Sequence, residues 1–287
     1  MAMTINTNVM SLNAQRNTVN TQNQMATTMQ RLSSGLRVNS AKDDAAGLAI
    51  AERMNTQVRG MNVAIRNAND GISLAQVAEG GLATMAEMLQ RMRELAVQAS
   101  NSTNSTGSGG DLGKLNDEFI QLSQELARMR GAVQFNGQAI LNGSAAFEFQ
   151  VGANSGSGER ITVASGSISL NGATAFDAVA SGGSASALEL TGTVGNSARI
   201  GSLDAAIDAV DARRAQLGAV QSRFENTISF LRTAVENQSA ARGRILDADF
   251  AAETANLSRT QILQQAGTAM IAQANQLPQN VMRLLQG

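Results

Sequence analysis

Two adjacent carboxylates, Asp43 and Asp44, are the residues of this sequence that most resemble a reactive pair. Neighbouring aspartates can hold a metal ion or act together in acid–base catalysis. These two, however, follow Ser40 closely, at the predicted start of a long helix. Ser40 and Asp43 fit a capping box, and carboxylates in a first helical turn are stabilised by the positive end of the helix dipole. The structural role is therefore favoured over the chemical one.

Histidine and cysteine are both absent from the 287 residues, which removes most other chemistry. Without them the chain has no Ser-His-Asp triad, cysteine nucleophile, disulfide or ordinary zinc site. The formal net charge of −1 gives no bulk attraction to nucleic acid or to an anionic membrane. No apolar run approaches the ~20 residues that a membrane-spanning helix needs. We therefore predict a protein that is not an enzyme, needs no cofactor or metal, and neither binds nucleic acid nor inserts into a membrane.

The longest regular pattern runs from Ala45 to Ala99 and predicts one continuous helix. Small or apolar residues recur there at intervals of seven, at Met54, Met61, Ala68, Ala75, Leu82, Leu89 and Ala96. Val58 and Ile65 lie on the same side, which is typical of a coiled-coil seam. A second apolar stripe in the latter half includes Leu74, Val77 and Met85, so the helix needs partners on two sides. At about 1.5 Å per residue it would be roughly 80 Å long, which predicts a rod.

A second long heptad pattern begins at Ser202 and supplies a partner for this seam. Its apolar residues keep multiples of seven, at Leu203, Val210, Leu217, Phe224, Leu231 and Ile245. A shorter helix is predicted from Asp111 to Arg130. We predict that the packed core of the bundle includes Met54, Met61, Ile65, Leu82, Leu89, Leu217, Phe224 and Leu231.

Both ends of the chain carry thin apolar stripes on otherwise polar helices. The first 40 residues hold eleven Asn or Gln and no acidic residue. Stripes this narrow do not stabilise a short helix alone, because most helical stability comes from packing. We expect them to be buried only in an assembly. The stripe residues are Ile5, Val9 and Leu12 near the start, and Leu263, Met270, Leu277 and Leu284 near the end.

The middle of the chain changes from a helical to an alternating pattern, which predicts short strands in hairpins. The alternating apolar residues are Phe147, Phe149 and Val151, then Ile161 with Val163, and then Ile168 with Leu170. Residues 171–199 are rich in Gly, Ala and Ser and are predicted to form a surface loop. The predicted fold is mainly α, a long coiled-coil-like helical bundle with a small β-hairpin region in the middle of the chain.

Several long segments resemble bacterial flagellin. They are RLSSGLRVNSAKDDAAGLAIAERM, LQRMRELAVQASN, QFNG and SRTQILQQAGTAMIAQANQLPQNVMRLL, and they occur in the order that the family has. The resemblance covers about 1–170 and 200–287. Many flagellins carry a large variable outer region between these halves, and this chain has only about thirty residues in its place.

The resemblance implies a structural subunit that polymerises into the bacterial flagellar filament for motility. Residues 1–44 with 248–287 would form the inner filament core, and 45–170 with 200–247 would form the helical rod with its β hairpins. The segment 171–199 would be a short loop replacing the variable region. A hook–filament junction protein of the same family is the alternative. A chemoreceptor-like signalling hairpin is a third possibility, and the lack of membrane spans and the β region argue against it.

The resemblance also implies a location and a set of partners. The subunit would be exported through the flagellar type III apparatus without a cleavable signal peptide, and would be extracellular. Its partners would be further copies of the chain, an export chaperone, a cap protein, hook-associated proteins and the flagellin-sensing Toll-like receptor of animals.

The receptor motif of the family maps onto Gln90, Arg91, Leu95 and Glu118. Arg91 and Leu95 are four apart and share one helix face. An arginine fork beside an apolar side chain is a combination typical of interface hot spots. The alternative is that Arg91 is a solvated charge and that Leu95 belongs to the stripe that packs the second helix.

The thin terminal stripes predict that an isolated subunit is only loosely ordered at both ends. Limited proteolysis of the monomer should therefore leave a resistant core of about 45–245, identified by mass spectrometry. Termini that resist the protease as well as the centre does would contradict this prediction.

Overall fold

The computed structural model describes residues 7–105, 110–143, 146–170, 174–180, 190 and 192–285. The fold is mainly helical with two small antiparallel hairpins, which confirms the predicted fold class. The helices are α1 (Val9–Ser34), α2 (Ala45–Ala99), α3 (Asp111–Ala132), α4 (Ser165–Ile168), α5 (Thr174–Asp177), α6 (Gly192–Leu246) and α7 (Phe250–Leu285). The strands are β1 (Gln134–Phe135), β2 (Gln138–Ala139), β3 (Phe147–Gln150) and β4 (Arg160–Val163).

The chain divides into two compact units, one of residues 1–56 with 236–287 and one of residues 57–235. Both units take residues from α2 and α6. We call the first the terminal unit and the second the central unit.

Hydrogen bonds within the terminal unit join the ends of α2 and α6 to the segments that connect them to α1 and α7. The Arg37 amide donates to the Leu246 carbonyl at 2.6 Å, and the Ala248 amide donates to the Gly35 carbonyl at 2.9 Å. Arg242 Nη1 of α6 donates to Asn55 Oδ1 of α2 at 2.6 Å. The ends of the two long helices therefore belong to the same unit as α1 and α7.

The core of the central unit is apolar and is filled from α2, α3, α6 and the β3–β4 hairpin. Its best-packed point is the ring of Phe224 on α6, which lies against Gly71 of α2. A Cβ atom at Gly71 would stand only 2.5 Å from Phe224 Cζ. Phe149 of β3 meets the same ring edge to face, with centroids 5.5 Å apart. Glycine at position 71 is thus what allows the aromatic ring into the helix–helix interface.

Most of the residues predicted to pack the bundle core are buried. They are Met61, Leu82, Leu89, Leu217, Phe224 and Leu231. Met54 and Ile65 are half-buried. Val77, placed in the second stripe of α2, is exposed, because its side of the helix is not covered.

The hairpin of β3 and β4 has Phe147 opposite Val163 and Gln150 opposite Arg160. A tighter hairpin joins β1 to β2 through Asn136 and Gly137, both with positive φ. Such a two-residue turn requires left-handed conformations that Asn and Gly adopt readily.

The predicted strand at Ile168 and Leu170 is wrong, because Ser165–Ile168 forms the helical turn α4. Both side chains are buried in the central core, and the Leu170 amide donates to the Leu141 carbonyl at 3.0 Å. The alternating pattern arises here because Ile168 and Leu170 both pack into the core from a connecting segment, and not because the segment pairs as a strand.

The described part of 171–199 contains the helical turn α5 and the beginning of α6 in place of the predicted loop. Phe176 and Val179 are buried in the central core. Ser123 Oγ of α3 donates to the Val179 carbonyl at 2.8 Å. A few apolar side chains in a Gly- and Ser-rich segment are enough to bind it to the core.

Replacing Leu217 by Asp should destabilise the central unit. Leu217 is fully buried, and an unpaired carboxylate there should cost about 3–5 kcal/mol of unfolding free energy. Urea unfolding followed by circular dichroism measures this change. Ala215→Asp, which places the same charge on the exposed side of α6, is the matched control. Equal unfolding midpoints for the two variants would contradict the prediction.

Candidate assembly and interaction surfaces

Helices α1 and α7 pack together through small and polar side chains. The α7 residues that meet α1 recur at intervals of seven, at Glu253, Thr260, Gly267 and Ala274. The buried residues of α1 are Ser11, Thr18 and Thr28. We call this contact the polar seam. It is unlike the central core, because its fully buried side chains, among those that the structure describes, are small or polar, while Met25 and Leu32 on the same face of α1 are half-buried.

Specific polar contacts hold the seam at each end. Asn8 Nδ2 donates to the Ala274 carbonyl at 2.7 Å, and Ser11 Oγ donates to Asn275 Oδ1 at 2.8 Å. At the other end, Arg31 Nη1 lies 3.1 Å from Oε1 of the nearly buried Glu253. Buried polar pairs of this kind specify the register of two helices.

A close approach of the two helices lies between these polar contacts. A Cβ atom at Gly267 would stand 2.7 Å from Thr18 Oγ1, so this position has no room for a side chain. The hydroxyl of Thr18 is itself bonded to the Ala14 carbonyl at 2.9 Å, within its own helix. The absence of a side chain at Gly267 therefore brings α1 and α7 together.

Many large apolar side chains of α1 and α7 face solvent, while Met25, Leu32, Leu257 and Ile271 are half-buried. Leu12 is 56% exposed and Met270 is 61% exposed. The other exposed apolar residues of the pair are Val9, Met10, Val19, Met29, Phe250, Ile262 and Leu263. We call these nine side chains the apolar surface. They are distributed along both helices, and a partner that covers them would remove apolar area from water.

Part of the apolar surface borders a groove between the two helices. Met10 of α1 lines it from one side, and Leu263 and Met270 of α7 line it from the other. The small residues Ala14 and Ala266 also line it, together with the polar Asn13 and Gln273 of its rim. The groove is thus apolar where the two helices bring their methionines and leucine together.

The residues predicted to form the terminal stripes are partly described. Val9, Leu12, Leu263 and Met270 belong to the apolar surface. Ile5 lies outside the described residues. Leu277 and Leu284 lie in the part of α7 whose side chains are likewise outside the described set.

Asp43 and Asp44 both have local structural partners, and the predicted capping box is wrong. Asp44 is the cap of α2, because its Oδ1 accepts the Gly47 amide at 2.8 Å. Asp43 Oδ2 instead accepts the amide and the hydroxyl of Ser40, at 2.9 and 3.0 Å. The Ser40 hydroxyl, followed by the backbone bonds, holds the pKa of Asp43 below its usual value. The cap is therefore Asp44, and α2 begins at Ala45, four residues later than a cap at Ser40 predicts.

The predicted receptor residues surround an ion-pair cluster between α2 and α3. Arg91 Nη2 lies 2.8 Å from Glu118 Oε1 of α3, and Arg91 Nη1 lies 3.1 Å from Glu94 Oε2. Hydrogen bonding to Glu118, and then to Glu94, raises the pKa of Arg91. Gln90 is exposed beside this cluster. Leu95 is 0% exposed, so it packs the core and does not provide the surface contact that was expected.

Comparison with known proteins shows the family of the chain. The model of the bacterial flagellin N-terminal helical region matches residues 5–146, and that of the C-terminal helical region matches residues 200–285. The chain belongs to the bacterial flagellin family.

Curated flagellins resemble this one over their whole length. A flagellin of Halalkalibacterium halodurans is 45% identical over 284 residues, covering 99% of this chain and 100% of the relative. A flagellin of Bacillus subtilis is 39% identical over 304 residues, with the same coverage. The flagellar filament 33 kDa core protein of Treponema phagedenis is 40% identical over 294 residues, again with 99% and 100% coverage.

A solved structure of Bacillus cereus flagellin is also similar. It has 27% sequence identity and a TM-score of 0.48, and the match covers 62% of this chain and 94% of that one.

This flagellin is therefore a structural subunit of the bacterial flagellar filament and not an enzyme. It polymerises, and its place is the flagellum, outside the cell. The relatives named above are filament proteins, and nothing favours the hook–filament junction alternative. Within the described residues, no helix combines the length and the apolarity that crossing a bilayer requires.

Sequence reasoning missed the residues of the polar seam. Glu253, Thr260, Gly267 and Ala274 share the seven-residue spacing of the apolar stripe next to them. A search for recurring small residues, and not only for apolar ones, would have found them. The Thr18 and Gly267 contact has no signal in either helix alone, because it depends on the register between them.

Proposed function

We propose that the subunit joins the filament by burying its apolar surface on α1 and α7 against neighbouring copies of the chain. The observation that carries this proposal is that different side chains of α1 and α7 are buried within the subunit and exposed on its surface. The fully buried contacts between α1 and α7 are made by small and polar side chains such as Ser11, while nine large apolar side chains, Leu12 and Met270 among them, are left in contact with water.

Burial of this surface is of the right size to drive association. A large apolar side chain contributes about 1.5–3 kcal/mol when fully buried. Joining an assembly costs an estimated 4–15 kcal/mol in lost translational and rotational freedom. The nine side chains of the apolar surface are 47–65% exposed in the subunit, so each gains about half of that value, and burying all nine gives a sum within the range of that cost.

Leu12→Asp tests this proposal at one position of the apolar surface. Because Leu12 is exposed in the subunit, the variant should keep the monomer fold and should fail to elongate filament seeds. Asn20→Asp places the same charge on another exposed residue of α1, outside the groove, and should elongate them. Electron microscopy and sedimentation measure the polymer, and circular dichroism measures the fold. Normal elongation by a folded Leu12→Asp subunit would contradict the proposal.

Membership of the flagellin family supports the remaining partners. In this proposal the subunit leaves the cell through the flagellar type III apparatus without a cleavable signal peptide. An export chaperone accompanies it, and the cap protein and the hook-associated proteins contact it at the ends of the filament. The terminal unit corresponds to the inner filament core, and the central unit corresponds to the helical rod with its hairpins.

Recognition by the animal Toll-like receptor for flagellin rests on a different observation. Arg91, Glu118 and Gln90 form an exposed polar surface across α2 and α3, where the ion pair already holds the guanidinium in place. A preorganised arginine loses less freedom when a partner binds it. Leu95 supports this surface from the core and does not contact the receptor.

Arg91→Ala should weaken receptor activation by at least about tenfold, or about 1.4 kcal/mol, and leave filament formation intact. Arg128→Ala is the matched control, because Arg128 is an exposed arginine paired three residues away with Glu125 on α3. A cell reporter carrying the receptor measures the response to folded monomer. Equal responses to the two variants would show that Arg91 is a solvated charge.

A further inference from the structure

Thirteen methionines are distributed along the chain, and a few of them are strongly exposed. Met10 is 63% exposed and Met270 is 61% exposed. Both line the groove between α1 and α7, one on each helix. Met85 and Met92 of the central core are fully buried. The chain therefore presents accessible thioethers at the surface proposed for assembly and protects others in its interior.

We propose that Met10 and Met270 form an oxidation site whose state decides whether a free subunit can assemble. This inference rests on the proposed role of the apolar surface. The reactive species is a peroxide, and the groups that it modifies are the two thioether sulfurs of the groove. Oxidation follows the exposure of a methionine, so these sulfurs react before those of the core.

Hydrogen peroxide supplies both the oxygen atom and the two-electron oxidation that the reaction needs. The sulfur lone pair attacks one oxygen of hydrogen peroxide, the O–O bond breaks, and an S–O bond forms. The sulfur is oxidised by two electrons to the sulfoxide. The departing oxygen is reduced and takes up the remaining proton, so that it leaves as water. Methionine sulfoxide reductases restore the thioether.

The product has opposite consequences for the free and the assembled subunit. A sulfoxide oxygen is a strong hydrogen-bond acceptor, and burying it without a donor is unfavourable. Leu263, Ala14 and Ala266 line the groove and supply no side-chain donor, while the amides of Asn13, Asn17 and Gln273 also line it. The hydroxyls of Thr18 and Thr21 in its wall already donate to the Ala14 and Asn17 carbonyls. Each sulfoxide also replaces part of the apolar area that assembly buries with a polar atom. An oxidised subunit is therefore excluded from the polymer. A subunit already in the filament has its sulfurs covered and is protected.

The test uses the full-length subunit, hydrogen peroxide at limiting concentration, and filament seeds. Peptide mass spectrometry should show oxidation of Met10 and Met270 at least about tenfold faster than that of Met85 and Met92. Addition to seeds should fall in proportion to the sulfoxide at these two positions. Treatment with methionine sulfoxide reductases A and B should restore it. Polymerised subunits should oxidise at Met10 and Met270 more slowly than free ones.

Two variants separate the groove from the other methionines. The double variant Met10→Leu with Met270→Leu keeps the volume and apolarity of the groove, and its rate of seed elongation should be the same before and after peroxide. Met129→Leu removes a half-buried thioether of the central unit, outside the apolar surface, and should stay as sensitive to peroxide as the wild type.

Two results would overturn the inference. One is efficient incorporation of subunits that carry sulfoxide at both positions. The other is a double variant as sensitive to peroxide as the wild type. If the untreated double variant does not polymerise, the test uses the wild-type chain alone. Reductase treatment of oxidised wild-type subunits should then restore their addition to seeds, and a failure to restore it would contradict the inference. Failure of untreated wild-type subunits to elongate seeds would instead refute the proposed assembly surface, and the order of oxidation would still be measured.

Discussion

The close approach of α1 and α7 at Gly267 is the constraint on which the terminal pair depends. Since a side chain at Gly267 would collide with Thr18, the helices approach closely there, and the fully buried described residues of the seam are small or polar. The hydrogen bond from Ser11 to Asn275 and the ion pair of Arg31 with Glu253 then fix the register. Large apolar side chains such as Met25 are only half-buried beside the seam, and Leu12 and Met270 are exposed.

The two units are stabilised by different means. The central unit buries its large apolar side chains against one another, as Phe224 shows between Gly71 and Phe149, and is complete as a single subunit. The terminal unit forms specific polar contacts between α1 and α7 and leaves nine large apolar side chains of these helices exposed. A protein that must be stable and also polymerise can use this separation, because the surface that drives assembly is not the one that holds the subunit core together.

The long-range pattern of the central unit was predictable from sequence, because seven-residue apolar spacing and helix packing have the same cause. Leu217 and Phe224 are buried as that spacing requires. The terminal pair was predicted less well, because apolar spacing identifies Leu263 and Met270 while the seam uses Thr260 and Gly267. Burial of Leu95 and the capping role of Asp44 likewise depend on neighbours that spacing alone does not specify.

A helical reconstruction of the filament by electron cryo-microscopy, at a resolution that shows side chains, tests the central claim most directly. The measured quantity is the exposed fraction of Leu12, Leu263 and Met270 in the polymer, compared with the free subunit, in which all three are exposed. We predict that all three are buried against neighbouring subunits and that the polar seam of each subunit is unchanged. A filament in which these side chains still face solvent, with its contacts formed elsewhere, would contradict the claim.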